Sequence, residues 1–253
     1  MAISIADLET AAAATWRAPE ESTAGSWLLR AAGGFTGRAN SALATGDPGM
    51  PLPAAVQQTC RWYRARSLPA MIAVAFPLHQ PAASAVDRHL QHRGWAVRPG
   101  SATVMTASAG AVMSFAPAAA ARVGIEAEPD GDWLALYHYR RQALPPIARR
   151  LLMSAPWQAF ASVRESGETV AIGRVAAAGQ WAGLTAIEVD PAHRRRGLAS
   201  AITAALAAHA VSRGAASIFL QVEDGNTAAR ALYRRAGFTD HHGYHYRIGP
   251  ASI

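Results

Sequence analysis

The chain of 253 residues contains no lysine and a single cysteine, Cys60. One cysteine excludes an internal disulfide, and this one falls in a helical pattern where a buried bystander is expected. No stretch approaches the ~20 apolar residues that a membrane-spanning helix needs. Residues 1–15 include an alanine run without the basic start of a signal peptide. These absences favour a cytoplasmic protein that has no membrane partner. We expect it to be a monomer or homodimer.

The absence of lysine makes all 24 basic residues arginine, and with 17 acidic residues the formal net charge is +7. A basic total is compatible with nucleic-acid binding. However, the arginines are scattered along the chain and form no single stripe, and a joint excess of arginine and alanine is typical of GC-rich coding. We therefore expect no nucleic-acid partner.

The most informative segment is a strand that leads through a basic turn into a helix. Residues 185–189 alternate as a strand does, and Asp190-Pro191 ends it because proline has no N–H to donate. The next helix is predicted from about Gly197 to Arg213, and its first turn offers about four free N–H groups and a partial positive charge to an anion. Small residues and three arginines surround that turn. The segment suits a pyrophosphate; the alternative is an arginine-rich turn on a solvated face.

A second segment continues the same order. Residues 217–223 predict a short strand and Asp224-Gly225 a turn. Asn226 is placed to cap the following helix, Gly237 to end it, and Phe238 to pack back onto the sheet.

Together the two segments resemble the signatures of the GNAT superfamily of N-acetyltransferases. The first matches the pyrophosphate-loop pattern Gln/Arg-x-x-Gly-x-Gly/Ala, and the second matches Asn-x-x-Ala-x-x-Leu-Tyr-x-x-x-Gly-Phe. The matching residues are Arg194, Gly197 and Ala199 in the first and Asn226, Ala229, Leu232, Tyr233, Gly237 and Phe238 in the second. The resemblance covers about residues 123–248.

This resemblance implies a fold and a reaction. The fold is α/β (α+β), with a mixed, mostly antiparallel central sheet flanked by helices. The reaction is transfer of the acetyl group of acetyl-CoA to the primary amine of a small molecule or peptide, by direct attack in a ternary complex. Two alternatives are a different acyl donor and an acyl-CoA-binding regulatory protein without catalysis.

The resemblance also implies roles for individual residues. Tyr233 is the general acid that protonates the CoA sulfur, or else an amphipathic tyrosine packed on the sheet. Glu188 and Glu223 are the candidates for the base, although Glu188 could equally be a solvated strand residue. The residues expected to hold acetyl-CoA are Ile187, Val189, Arg194, Arg195, Arg196, Gly197, Leu198, Ala199, Ser200 and Asn226. Asn226 could also serve only as a cap, and His193 is expected to flank phosphate.

A histidine cluster at residues 241–245 raises the question of a metal site. The usual zinc spacing is absent, and a strand of alternating polar and aromatic residues explains the cluster as well. We expect no metal, while His242 or His245 beside the acceptor pocket is a further interpretation.

The first half repeats the pattern of the second. Setting Gly94-Trp95 on Gly237-Phe238 gives an offset of 143 residues. The elements predicted in the first half are strands at 27–30, 38–43, 70–76 and 101–107 and helices at 53–66 and 83–92. Those predicted to open the second half are a strand at Ile125, a helix at 133–143 and a hairpin of 157–163 with 170–177. We therefore expect two GNAT-like domains in tandem, residues 1–109 and 123–253, joined by a linker at 110–122.

The first copy departs from the pattern where function lies. Its loop at residues 46–53 has no basic residue and three prolines, which remove N–H donors, and Leu90 stands where Tyr233 would be. Residues 1–109 are therefore predicted to be a degenerate, non-catalytic domain and residues 123–253 the catalytic one. Arg38 and Asn40 could face the acceptor or lie at a strand edge.

Overall fold

The computed structural model describes residues 3–138 and 144–250. The strands are β1 Glu20–Ala24, β2 Trp27–Ala31, β3 Ala42–Leu43, β4 Met71–Pro77, β5 Ala96–Val97, β6 Ala102–Ser108, β7 Gly124–Glu126, β8 Trp157–Glu165, β9 Glu168–Ala178, β10 Trp181–Val189, β11 Ser217–Glu223 and β12 Thr239–Ile248. The helices are α1 Ile5–Ala14, α2 Leu52–Arg64, α3 Ala85–His92, α4 Ala109–Met113, α5 Pro117–Ala120, α6 Gly131–Leu136, α7 Ile147–Leu152, α8 Leu198–Ser212 and α9 Thr227–Arg235.

All twelve strands form one sheet. The order is β1-β2-β3-β4-β12-β6-β11-β10-β9-β8-β7, and β5 pairs with β12. Among the described strands, the β3–β4 and β10–β11 pairs are parallel, and the other pairs are antiparallel. The predicted fold class, a mixed and mostly antiparallel sheet flanked by helices, is confirmed.

The two halves exchange a strand at the centre of the sheet. β6 comes from the first half and pairs along its whole length with β11 of the second half. β12 comes from the second half and pairs with β4 of the first half. The exchanged strands also pair with each other, from Thr239↔Thr106 to Tyr244↔Ala102. The sheet therefore runs without interruption through the predicted domain division, which itself stays a prediction.

The helices lie on two faces of this sheet. Adjacent residues of a strand point to opposite faces. A Cβ at Gly173 of β9 would meet Ile202 and Leu206 of α8, whereas the neighbouring Ile172 packs with Trp133 of α6. On β12, His245 bonds to Asp87 of α3, whereas Tyr246 packs with Ala13 of α1. The cofactor face, as we name it, thus carries α2, α3, α8 and α9, and the opposite face carries α1, α6 and α7.

Most of the predicted elements are confirmed within two or three residues. The elements that lie where the sequence predicts them are β2, β4, β6, β7, β8, β9, β11, α2, α3, α8 and α9. β10 is also present, but it begins at Trp181, four residues before the predicted start at residue 185. Asn226 caps α9, since its side-chain oxygen accepts from the Ala229 N–H at 3.1 Å. Gly237 ends that helix with a φ of +94°.

The predicted strand at residues 38–43 is wrong over most of its length. Residues 38–40 form a 3-10 turn, and only Ala42–Leu43 join the sheet. The cause is Asn40, whose side chain accepts from the N–H groups of Ala32 and Gly34 and donates to the carbonyls of Phe35 and Thr36. These local bonds compete with ladder pairing and curl the chain. They also give Asn40 a structural role.

The predicted helix at residues 133–143 is too long. α6 ends at Leu136, and Tyr137 is extended. The next N–H, that of His138, donates to the Glu188 carboxylate at 2.9 Å and is not available to continue the helix. The remainder of the prediction, residues 139–143, lies outside the described residues.

Several elements have no counterpart in the prediction, and the predicted linker is folded. The missed elements are α1, β1, β5 and α7, together with α4 and α5 in the linker. Residues 110–122 contain most of α4 and all of α5, and Val112 of α4 is fully buried in the same cluster as Leu206 of α8. Within the described ranges, no helix is long and apolar enough to cross a membrane.

Candidate active site

The two parallel strands of the second half separate at one end. β10 and β11 pair from Trp181↔Ser217 to Leu184↔Leu220, and in the described sheet they do not pair beyond that point. β10 continues along β9 after an irregularity between Thr185 and Glu188, where Ala186 has a φ of +54°. Beyond Leu184, the β11-facing backbone of β10 is therefore open to a ligand.

A basic loop stands at the open end of β10. Arg195 has a φ of +64° and Gly197 a φ of +79°, while Arg196 between them has a negative φ. Backbone of alternating hand points successive N–H groups to one side and forms a concavity that binds anions. Gly197 is also the N-cap of the 15-residue helix α8, which adds the unpaired N–H groups of its first turn. A Cβ at Gly197 would meet nothing within 4 Å, so the backbone faces open space.

The loop, the strand end and α9 enclose a cleft of about 720 Å³. Its lining residues are Ile187, Glu188, Val189, His193, Arg194, Arg195, Gly197, Leu198, Ala199, Ser200, Asn226, Ala228, Ala229, Leu232 and Arg235. The structure thus brings together every residue predicted to hold acetyl-CoA except Arg196. That arginine forms an ion pair with Glu165 at 2.9 Å.

The sequence reasoning missed Ala228, Ala229, Leu232 and Arg235 as lining residues. Leu232 and Arg235 are separated by three positions, one helical turn, so both lie on the face of α9 that looks into the cleft. A signal was available: from the capping Asn226, the same spacing passes through Ala229 and Leu232 to Arg235. Arg235 adds a cation to the mouth of the cleft.

Tyr233 lies beside the cleft but is not among its lining residues. Its ring packs on the core formed by α8 and the sheet and stands 5.7 Å from the Phe238 ring. Burial raises the pKa of its hydroxyl to about 12. The phenol therefore keeps its proton throughout the neutral range.

The two acidic candidates have different surroundings. Glu188 lines the cleft, and its carboxylate accepts from the His138 N–H at 2.9 Å, with the His138 ring nitrogen at 3.7 Å. Glu223 is exposed at the C-terminal end of β11 and does not line the cleft. The structure therefore places Glu188, and not Glu223, next to the basic loop.

The histidines of β12 bond to buried carboxylates of the first half. His242 is fully buried, with its Nε2 2.9 Å from Glu9 of α1, and His245 Nε2 lies 2.6 Å from Asp87 of α3. The His245 side chain therefore points to the cofactor face in the first half, away from the cleft. In the described part of the chain, no group of three or more His, Cys, Asp or Glu residues could hold a metal ion.

Residues 3–247 match the family described as "Probable histone acetyltransferase Rv0428c C-terminal". The chain is 29% identical over 252 residues to the "Uncharacterized N-acetyltransferase YobR" of Bacillus subtilis, which covers 96% of this chain and 98% of the relative. It superposes on a GCN5-related N-acetyltransferase from Kribbella flavida with a TM-score of 0.70, at 19% identity over 99% of this chain and 98% of the other.

A further solved structure is described as a tandem GNAT protein from the clavulanic acid biosynthesis pathway. Its TM-score is 0.62, at 13% identity over 84% of this chain and 76% of the other. The match of the family to nearly the whole chain, together with the splayed strands and the basic loop, shows that this chain belongs to the GNAT N-acetyltransferases.

Proposed function

We propose that the protein transfers an acetyl group from acetyl-CoA to a primary amine by direct attack in a ternary complex. The observation that carries the proposal is the position of the anion-binding loop at the open end of β10. One ligand could place its pyrophosphate on the N-terminus of α8 and run its thioester arm along the unpaired edge of β10.

In this proposal the cofactor enters from the cofactor face and the acceptor approaches from the opposite face. Ile187 and Val189 pack with the core around α8, so Glu188 between them points to the opposite face. The amine nitrogen attacks the acetyl carbonyl carbon, and its proton passes to Glu188, directly or through a water molecule. The backbone N–H groups at the splay stabilise the oxyanion.

Collapse of the tetrahedral intermediate breaks the carbon–sulfur bond, and Tyr233 donates its proton to the departing thiolate. A phenol whose pKa is about 12 is protonated at neutral pH and can give this proton. Because its pKa is raised above the usual 10 by burial, we expect no loss of turnover near pH 10 from ionisation of this acid.

The substitution Tyr233→Phe tests the assignment. We expect kcat to fall by about 10²- to 10⁴-fold while the Kd of CoA changes by less than about twofold. Tyr63→Phe is a suitable control because it removes a buried tyrosine hydroxyl, which donates to the Arg30 carbonyl at 2.9 Å, from the core of the first half. Acetyl-CoA consumption against an amine panel and CoA calorimetry are the measurements. Unchanged turnover in Tyr233→Phe would refute the acid role, and CoA binding without any transfer would favour the regulatory alternative.

A further inference from the structure

On the opposite face of the sheet, half-buried side chains surround the point where β10 and β11 separate. They are Thr185 and Glu188 on β10 and Gln221 on β11. Tyr244 of β12 closes one side, since its hydroxyl is 3.4 Å from the Gln221 side-chain oxygen. We name this the acceptor recess because it faces the predicted path of the thioester from the acceptor side.

Arg38 of the first half is connected to this group of residues through Trp16 and Arg174. Its guanidinium lies 5.4 Å from the centre of the Trp16 ring, and that of Arg174 lies 5.1 Å from the same ring. Arg174 in turn reaches Thr185 Oγ1, at 3.4 Å, on the edge of the recess.

Arg38 is half-buried, and no carboxylate of the described residues lies within ion-pair distance of it. The nearby acids are engaged elsewhere: Glu9 pairs with His242, and Glu188 accepts from His138. Arg174 adds a second cation with no described acidic partner, and it is fully buried. Its guanidinium donates hydrogen bonds to the carbonyls of Leu152 and Thr15. Among the described residues, Arg38 therefore carries a half-buried charge that no carboxylate pairs and that a ligand could pair.

We infer that the acceptor is an amine that also carries a carboxylate, and that Arg38 binds this carboxylate while the amine faces Glu188. A partly desolvated guanidinium gains most from a carboxylate that completes its hydrogen bonds, and the Trp16 ring holds its plane in position. The same cation repels a lysine-rich peptide, whose flanking charges are positive. This inference rests on the proposed acetyltransferase function and adds the class of its acceptor.

Matched amines test the inference. Glycine, phenylalanine and glutamate are each compared with the corresponding amide, and phenylalanine also with phenethylamine, at saturating acetyl-CoA. We expect kcat/KM to be at least about tenfold higher for the acids than for the amides, because a hydrogen-bonded charge pair has that effect or more. In Arg38→Gln the advantage of the acids is expected to disappear, while kcat/KM for phenethylamine is unchanged.

Arg61→Gln is the matched control, because Arg61 is an exposed arginine of α2 on the cofactor face of the sheet. It should leave the preference for acids intact. Equal rates for acids and amides, or a preference for a lysine-rich peptide, would overturn the inference while the acetyltransferase function stands.

A binding measurement separates the two proposals if no amine is acetylated. Calorimetric titration of the CoA-loaded protein with N-acetylphenylalanine and with its amide requires no turnover. Tighter binding of the acid that is lost in Arg38→Gln would support the inference and count against the enzymatic function alone. Equal binding of both compounds would overturn the inference.

Discussion

The backbone at two residues of the basic loop decides whether the cleft can hold an anion. Arg195 and Gly197 both have positive φ, a conformation that costs roughly 1–2 kcal/mol for a residue with a Cβ. Arg195 adopts this unfavourable conformation although it is not a glycine. Such a residue in a candidate site agrees with a loop whose shape is set by a ligand.

The substitution Gly197→Ala separates backbone strain from ligand binding. The new methyl group would point into the open cleft and force an alanine into a left-handed conformation, so we expect CoA affinity to fall at least about tenfold and stability by roughly 1 kcal/mol. Gly214→Ala is a close control, because Gly214 has a φ of +87° and also faces open space, at the other end of α8. Calorimetry and urea unfolding should show similar stability losses for the two variants, but reduced CoA binding only for Gly197→Ala. A Gly197→Ala protein with unchanged CoA affinity would contradict the placement of the phosphates.

Two arginines are buried in the structure, and the sequence alone could not predict their burial. Arg174 is fully buried on β9, where burial lowers its pKa to about 9, and Arg30 is buried on β2, where it bonds to Ser41. Arg174 bonds across to Thr185 of β10 in the same way. A fully buried arginine without a carboxylate is uncommon, and no pattern in the sequence distinguishes it from the exposed arginines.

Among the secondary-structure elements, the best predictions rest on caps. α8 and α9 were predictable because Gly197 and Asn226 begin them and glycines follow their ends. α1 was not predicted, although Ser4 caps it. Half of its residues are alanine, so its sequence shows no clear amphipathic pattern. The cleft followed from contiguous motifs. The sequence named Arg38 as a residue that could face the acceptor, but it could not place Arg38 and Arg174 beside the same Trp16 ring, because that arrangement depends on the packing of the two halves.

The docking of α1 depends on a buried chain of hydrogen bonds. His241 Nε2 lies 3.0 Å from the Ile3 carbonyl, so it donates there and its Nδ1 accepts from His242 Nδ1 at 2.8 Å. Burial lowers the pKa of His241, which agrees with a neutral ring. His242 Nε2 and the Glu9 carboxyl must then share one proton across 2.9 Å.

Removing the carboxyl should therefore loosen α1. Glu9→Ala leaves the fully buried His242 without its partner, and we expect the free energy of unfolding to fall by roughly 1–3 kcal/mol. Glu9→Gln should cost less, because the amide can donate to a neutral His242. Thr10→Ala, on the exposed side of the same helix, should change stability by no more than about 0.5 kcal/mol. Urea unfolding compares the three; a Glu9→Ala protein as stable as Thr10→Ala would contradict the chain of bonds.

At the scale of the whole molecule, the exchanged strands tie the halves into one unit. Each is held by a carboxylate of the half that receives it. Asp87 of α3 bonds to His245 and Arg247 of β12, and Asp224 bonds to Thr103 of β6 and to Ser101 just before it. The first junction is buried, whereas the Asp224 side chain is 43% exposed. The internal repeat was visible in the sequence, but the exchange was not, because it requires pairing between strands more than a hundred residues apart.

The buried junction is the place to test whether the halves unfold together. Burial works to raise the pKa of Asp87, but hydrogen bonds from Arg247 and His245 hold it below the usual 3.8, so the carboxylate is charged at neutral pH. Asp87→Asn leaves Arg247 buried without its counter-ion, and we expect a loss of about 3–5 kcal/mol. Asp224→Asn, at the exposed junction, should cost about 1 kcal/mol or less. Because β12 and β6 pair with each other between the halves, hydrogen exchange at neutral pH should show Asp87→Asn reducing the protection of β4 and of β10 to the same extent. Loss of protection in β4 alone, with β10 and CoA binding unchanged, would show that the two halves fold independently despite the shared sheet.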